Sequence, residues 1–201
     1  MQSLPTQSGW IEVICGPMFS GKTEELIRRL RRAQIARQRV SIFKPQTDNR
    51  YSSEHIVSHS QNKLESFMIA KPKQILEHSY ESHVIGIDEA QFFDDSLVDV
   101  VRKLANGGKR VIIAGLEKDA MNQPFGCMPL LLIEAEYITK VQSICVRCGS
   151  PANYSQRTSL DEGQVVVGET DKYEARCRRC YEQPLTKQQL SIEDTETRKA
   201  G

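Results

Sequence analysis

The chain predicts an α/β fold: a phosphate-loop domain on a mostly parallel sheet, followed by a small module that carries paired cysteines. Three observations carry that reading. Strand-like apolar runs alternate with helix-like amphipathic segments over roughly the first 140 residues. The first strand-like run, Trp10 to Cys15, leads directly into Gly16-Pro-Met-Phe-Ser-Gly21-Lys22-Thr23 and then into a helical stretch. Two Cys-x-x-Cys pairs lie beyond Val141, where helical periodicity fades and turn residues multiply.

The elements follow in order. Glu24 to Gln38 places Leu26, Ile27, Leu30, Ala33 and Ile35 at a mostly helical spacing. Arg28, Arg29, Arg31, Arg32, Arg37 and Arg39 occupy the other side, and read as a solvated face or a subunit contact. Val40 to Phe43 predicts a short buried strand that ends at Lys44-Pro45. Residues 46–62 are polar and predict a loop able to order around a ligand. Lys71 to Ser79 predicts a helix with Pro72 near its first turn. His83 to Ile87 predicts a strand, and Asp95 to Ala105 a helix stopped by Asn106-Gly107-Gly108. Lys109 to Gly115 predicts another strand, then a loop with Pro124-Phe125-Gly126, then a helix from Met128 to Ala135. Strands separated by helices call for crossover connections, hence parallel strands with helices on both faces.

The phosphate loop has its required context, a strand before and a helix after. Consecutive backbone N–H groups and the helix N-terminus converge on one point and make an anion cradle. Gly16 and Gly21 permit the tight path, Lys22 reaches toward the β- and γ-phosphates, and the Thr23 hydroxyl suits a Mg²⁺ shell. Val84-Ile-Gly-Ile87 followed by Asp88-Glu89 supplies the second element such a site needs. A carboxylate at the C-terminal edge of the sheet can hold Mg²⁺ directly or through water, which suits Asp88. Glu89 then faces the space beyond the γ-phosphate, where a base is needed.

Cys145-Val-Arg-Cys148 and Cys177-Arg-Arg-Cys180 stand 28 residues apart. Four thiolates from two such knuckles suit tetrahedral Zn²⁺ in a closed structural site. A redox pair and a nucleic-acid-binding zinc ribbon are the competing readings of the same residues. Cys15 and Cys127 fall outside the pattern, Cys15 as a small core residue. His55, His59, His78 and His83 lack ligand spacing.

Composition sets bounds on the rest. The 201 residues are 39% hydrophobic, enough for a real core, and 26 acids meet 27 bases for a net charge of +1. That balance argues against non-specific nucleic-acid binding as the main activity. No signal-like run or span-length apolar stretch is present, so a cytoplasmic protein with reduced cysteines is expected. The expected boundaries are an N-terminal extension over 1–9, an ATP-binding domain over 10–140, a zinc-binding module over 141–189 and a mobile tail over 190–201.

The ordered set Gly-Pro-Met-Phe-Ser-Gly-Lys-Thr, Asp-Glu-Ala-Gln-Phe-Phe, Pro-Phe-Gly and paired Cys-x-x-Cys resembles the cytosolic-type (type II) thymidine kinase family, over roughly residues 10–185. The resemblance implies transfer of the ATP γ-phosphoryl group to the 5′-hydroxyl of thymidine, giving dTMP and ADP in pyrimidine deoxynucleoside salvage. It implies that Gly16, Pro17, Met18, Phe19, Ser20, Gly21, Lys22 and Thr23 hold the ATP phosphates. Asp88 then provides the magnesium environment and Glu89 accepts the proton, with Ala90 and Gln91 in the same ATP-facing stretch. Asp48, Asn49 and Arg50 match a segment near the phosphates, although Asn49 replaces the family's Thr. A lasso-like loop between the knuckles, here Gln164-Val165-Val166-Val167-Gly168 and Tyr173, is implied to close over the base. Met18, Leu116 and Phe125 match base-pocket positions, and Ala120 stands where the family commonly has Phe. Structural Zn²⁺ anchors that loop, and feedback by dTTP and a homotetramer are further implications, with no membrane or nucleic-acid partner. Two rival functions stay open on the residues themselves. One is a phosphate-loop kinase for another nucleoside, favoured by Ala120. The other is an ATP-switched nucleic-acid binder using the arginine-rich ribbon, with Arg147, Arg157, Arg176, Arg178 and Arg179.

Overall fold

A computed structural model of the chain describes residues 8–46, 55–57, 63–158 and 172–182. Strand β1 (Trp10–Cys15) is followed by helix α1 (Lys22–Ile35) and strand β2 (Val40–Pro45). A hairpin of β3 (His55–Val57) and β4 (Lys63–Glu65) precedes β5 (Phe67–Ile69) and the short helix α2 (Gln74–His78). Then come β6 (Val84–Ile87), α3 (Ser96–Asn106), β7 (Arg110–Gly115), α4 (Met128–Glu134) and β8 (Tyr137–Lys140). The cysteine module contains β9 (Ser143–Ile144), β10 (Pro151–Ala152), β11 (Tyr154–Arg157) and β12 (Tyr173–Arg176), which pair antiparallel as β9–β10 and β11–β12.

Six strands form one sheet in the order β5-β2-β6-β7-β1-β8, and every neighbouring pair is parallel. The alternation of buried side chains assigns the two faces. Ile14, Ile42, Val84, Ile112 and Ala114 pack with Leu26, Leu30 and Ala33 of α1. Val13, Phe43, Ile85, Ile87, Val111 and Ile113 pack on the other face with Leu97 and Val101 of α3 and Leu131 of α4. Burying each such side chain stabilises the fold by roughly 1.5–3 kcal/mol. Gly86 is required by this packing, because a Cβ there would meet Leu30 Cδ1 at 2.7 Å. The first turn of α1 meets the acid after β6 through Thr23 and Asp88.

Several boundaries differ from expectation. Helix α1 begins at Lys22 and ends at Ile35, because Arg37 adopts a left-handed φ of 58°. Gln38 N–H then donates to Ala33 O and Arg37 N–H to Gln34 O, a Schellman-type closure that no glycine announces. Helix α2 starts at Gln74, not Lys71, and the Gln74 side chain instead accepts from the N–H groups of Ala70 and Lys71 at 2.9 Å. Helix α4 ends at Glu134, since Ala135 is already extended. The expected loop over 46–62 includes strand β3. Strands β5 and β8 lie at the two sheet edges and were not foreseen, being short and partly exposed. Residues 1–7 of the expected extension over 1–9, and the whole tail over 190–201, lie outside the described residues.

Candidate active site

All six parallel strands end on one edge of the sheet, the edge where open α/β folds bind ligands. The phosphate loop leaves β1 there. Gly16 has a φ of 154° and packs so closely that a Cβ would meet Val141 O at 2.3 Å. Gly21, at φ 81°, caps α1 in the left-handed conformation. Phe19 is also left-handed at φ 62°. Within the loop, Ser20 Oγ and Lys22 Nζ both donate to Pro17 O at 2.7 Å.

The acids after β6 face this loop. The Thr23 hydroxyl donates to Asp88 Oδ2 at 3.1 Å, across 65 residues of chain. Burial pushes the Asp88 carboxyl up to about 7, and repulsion from Glu89 adds to it. The Glu89 N–H, the Thr23 hydroxyl and the charge of Lys22 work in the opposite direction. A buried carboxylate and a hydroxyl side by side are hard oxygen donors, and a divalent cation such as Mg²⁺ would relieve both penalties on Asp88.

Glu89 itself sits at φ 51°, ψ 41°, a left-handed conformation that costs a non-glycine residue about 1 kcal/mol. It begins a single 3₁₀ turn, Ala90–Phe92. Gln91 is buried and holds this turn in place. Its Nε2 donates to Glu89 Oε2, while its Oε1 accepts from the Leu116 N–H at 2.9 Å. Gly126, at φ 50°, packs on the Gln91 backbone, where a Cβ would lie 2.2 Å from Gln91 O. The Pro-Phe-Gly loop thereby rests on the turn that carries Glu89. Its Phe125 meets Phe92 edge to face at 5.7 Å between ring centroids.

The cysteine module reaches the same edge. Met18 N–H donates to Ser155 Oγ at 2.9 Å, tying the phosphate loop to β11. Tyr154 stacks on Tyr181 at 4.6 Å, and the Tyr181 hydroxyl donates to Ala120 O at 2.9 Å. Ala120 is buried, and the Tyr181 side chain, just after the second knuckle, reaches its segment. Lys118 Nζ lies 4.0 Å from the Tyr154 ring centroid. Tyr173 opens β12 with Arg157 5.8 Å from its ring centroid. Leu116 and Phe125 are both buried at this edge.

The sulfurs of Cys145, Cys148, Cys177 and Cys180 lie within 4.8 Å of one another, and Cys148 Sγ is 3.6 Å from Cys177 Sγ. Tetrahedral zinc–thiolate bonds of ~2.3 Å demand sulfurs of about this separation. Burial works against the Cys145 thiolate, but N–H groups of Cys177, Arg147 and Cys148 outweigh it and draw the thiol down to about 6. Cys180 is pushed up to about 12, first by Cys148. Four thiols this close cannot all ionise without a cation, and the donor set fits Zn²⁺. Cys15 and Cys127 are buried in the main core and lie outside this cluster, Cys15 as the core reading expects.

Asp48, Asn49, Arg50 and the lasso residues Gln164, Val165, Val166, Val167 and Gly168 lie outside the described residues. Among the ribbon arginines, Arg147 pairs with Glu182 at 2.8 Å and Arg176 is buried against Glu174. Arg28 and Arg29 likewise pair with Glu25, and Arg29 with Glu12 at 2.7 Å. Sequence reasoning missed Ser155, whose neighbours carry no motif. It also missed the dual role of the Gln91 amide, since a side chain that bridges two loops leaves no local pattern.

Comparison with known proteins agrees with this geometry. The family profile described as Thymidine kinase matches residues 9–181. A Thymidine kinase of Rhodothermus sp. (strain ITI 518) is 60% identical over 176 residues, covering 88% of this chain and 83% of the relative. The Thymidine kinase of Bacteroides thetaiotaomicron is 57% identical over 173 residues, with coverages of 86% and 87%. That of Bacteroides fragilis is 55% identical over 177 residues, with coverages of 88% and 89%. With a match that runs from the strand before the phosphate loop to the residue after the last cysteine, the chain belongs to the thymidine kinase family.

Proposed function

We propose that the protein transfers the γ-phosphoryl group of ATP to the 5′-hydroxyl of thymidine, with Glu89 as the proton acceptor. The observation that carries this reading is the acid pair beside the phosphate loop, Asp88 held to Thr23 and Glu89 held by Gln91. The loop amides from Gly16 to Thr23 and Lys22 bind the phosphates and stabilise charge that spreads over the transferring oxygens. Asp88 and Thr23 would hold Mg²⁺, which would supply charge neutralisation at the phosphates. Glu89 orients the 5′-hydroxyl and takes its proton as the new O–Pγ bond forms and the bond from Pγ to the β-phosphate oxygen breaks, releasing ADP. Ala90 and Gln91 back this stretch, the Gln91 amide fixing the Glu89 carboxylate.

Met18, Leu116, Ala120, Phe125 and Tyr173 form the nucleoside side of the site in this reading. The burial of Leu116, Ala120 and Phe125 at the loop edge supports them. Asp48, Asn49, Arg50 and residues 164–168 enter on the family resemblance alone. Zn²⁺ at the four cysteines anchors the β11–β12 module against the phosphate loop, which the Met18–Ser155 bond supports. We extend the reading to a homotetramer, supported by exposed Ile133, Tyr137 and Ile138 on and beside edge strand β8. Feedback by dTTP and a cytoplasmic location follow from the resemblance. No described helix is long and apolar enough to cross a membrane.

The test is phosphoryl transfer from Mg-ATP to thymidine, deoxyuridine, deoxycytidine and deoxyguanosine under one set of conditions. Thymidine should be the best acceptor by at least tenfold. Transfer to another nucleoside with thymidine inert would overturn the substrate assignment, and no transfer at all would overturn the reaction.

A further inference from the structure

Lys44 is among the most thoroughly buried charged residues of the described chain, at 4% exposure, and no step above uses it. Lysine is rarely buried so far without anionic company, because removing an ammonium from water costs several kcal/mol. Its position is set by strand β2. Ile42 packs with α1 and Phe43 with the opposite face, so alternation returns Lys44 to the α1 face. On β6 the same count holds. Gly86 lies under Leu30 of α1, Ile87 faces away, and Asp88 returns to the α1 face to meet Thr23.

The register aligns the two residues. Ile42 pairs with Gly86 and Phe43 with Ile87, and the Asp88 N–H donates to Phe43 O at 2.9 Å. One step further along each strand, Lys44 stands level with Asp88 on the same face, with strands ~4.8 Å apart. Thr23 meets Asp88 from the α1 side with the charge of Lys22 close by, and the register brings Lys44 level with it on β2. The buried Asp88 and its half-buried neighbour Glu89 would otherwise meet an incoming polyphosphate with Lys22 as the loop's own side-chain cation. A second buried ammonium at this level offsets that repulsion where the terminal phosphate must lie.

We propose that Lys44 is a second phosphate-binding cation of the active site, which holds the γ-phosphate of the nucleoside triphosphate. The inference rests on the phosphoryl-transfer reading of the same site. Lys22 reaches the phosphates from the loop, and Lys44 reaches them from the neighbouring strand, so the transferring group is gripped from two sides as charge develops on its oxygens.

The test measures the affinities of full-length wild-type, Lys44→Met and Lys44→Arg proteins for a non-hydrolysable ATP analogue and for ADP, both with Mg²⁺, by calorimetry. Wild type should bind the analogue more tightly than ADP. Lys44→Met should lower that preference at least tenfold, with ADP affinity within threefold of wild type, and Lys44→Arg should keep most of it. Should Lys44→Met fail to fold, Lys44→Gln supplies the same ratio. A merely structural ion pair with Asp88 would weaken both nucleotides together and leave the ratio intact. An unchanged ratio, or a wild-type protein that does not distinguish the two nucleotides, overturns the proposal. The ratio is read without an acceptor. A failure of the protein to phosphorylate thymidine therefore refutes the kinase reading separately.

Discussion

Replacing Gln91 by Leu removes two hydrogen bonds while nearly keeping the side-chain volume. The first loss leaves the Leu116 N–H, now bonded to Gln91 Oε1 at 2.9 Å, without its partner in a buried place. Such an orphaned donor costs about 1–3 kcal/mol of stability. The second loss takes the Gln91 bond from the Glu89 carboxylate, which sits on a residue held at φ 51° against its intrinsic preference. A hydrogen bond to a charged group contributes about 1.5–3 kcal/mol, and every 1.4 kcal/mol lost from the transition state is tenfold in rate. Gln91→Leu should therefore lower kcat about ten- to a hundredfold. It should also lower the urea midpoint at constant m-value, by an amount equivalent to 1–3 kcal/mol. The assay pairs steady-state kinetics with equilibrium unfolding on the same preparation. A protein with wild-type kcat and a raised KM for ATP would refute the reasoning, because it would show Gln91 acting on the nucleotide and not on Glu89.

Two further outcomes follow from the cysteines. Chelation of metal from the purified protein should abolish thymidine binding and lower the thermal midpoint together, because the Met18–Ser155 bond joins the ribbon to the phosphate loop. Normal thymidine affinity in a metal-free protein that remains folded would contradict that anchoring role. Burial pushes the Cys127 thiol up to about 12 and the Cys15 thiol up to about 11. In the unfolded chain these thiols ionise near 8.5–9. The folded-state value is the higher one, so their stabilising contribution is complete below about pH 9. It is lost as pH rises toward the folded values, at about 1.4 kcal/mol per thiol per unit. Urea titrations at pH 8, 9 and 10 should show stability falling above pH 9, and Cys15→Ala/Cys127→Ala should flatten the fall. A fall of equal size in the double variant would refute the assignment.

Much of this fold was legible because its strongest signals are local. The run from Trp10 to Thr23 contains strand, loop and helix start within fourteen consecutive positions, and the structure reproduces them. The existence of β6 and the buried face of α3 were equally readable, since each buried position is apolar. Edge strands β5 and β8 were not, because half-exposed residues such as Tyr137 and Ile138 carry no burial pattern. The end of α1 was misplaced because Arg37 performs a turn usually given to glycine. The four cysteines announced their cluster by spacing alone. The bridging role of Gln91, the Ser155 contact and the position of Lys44 were hidden for one shared reason: each depends on segments far apart in sequence meeting in the fold. A count along one strand shows that Lys44 ends β2, but only the pairing of β2 with β6 sets it beside Asp88.

The most direct test of the account is single-turnover phosphoryl transfer to thymidine by Glu89→Gln, with thymidine and Mg-ATP affinities measured on the same protein. The account predicts both affinities within a few-fold of wild type and a transfer rate lowered by at least a hundredfold. A Glu89→Gln protein that binds both substrates and transfers at the wild-type rate would contradict the assignment of Glu89 as the proton acceptor.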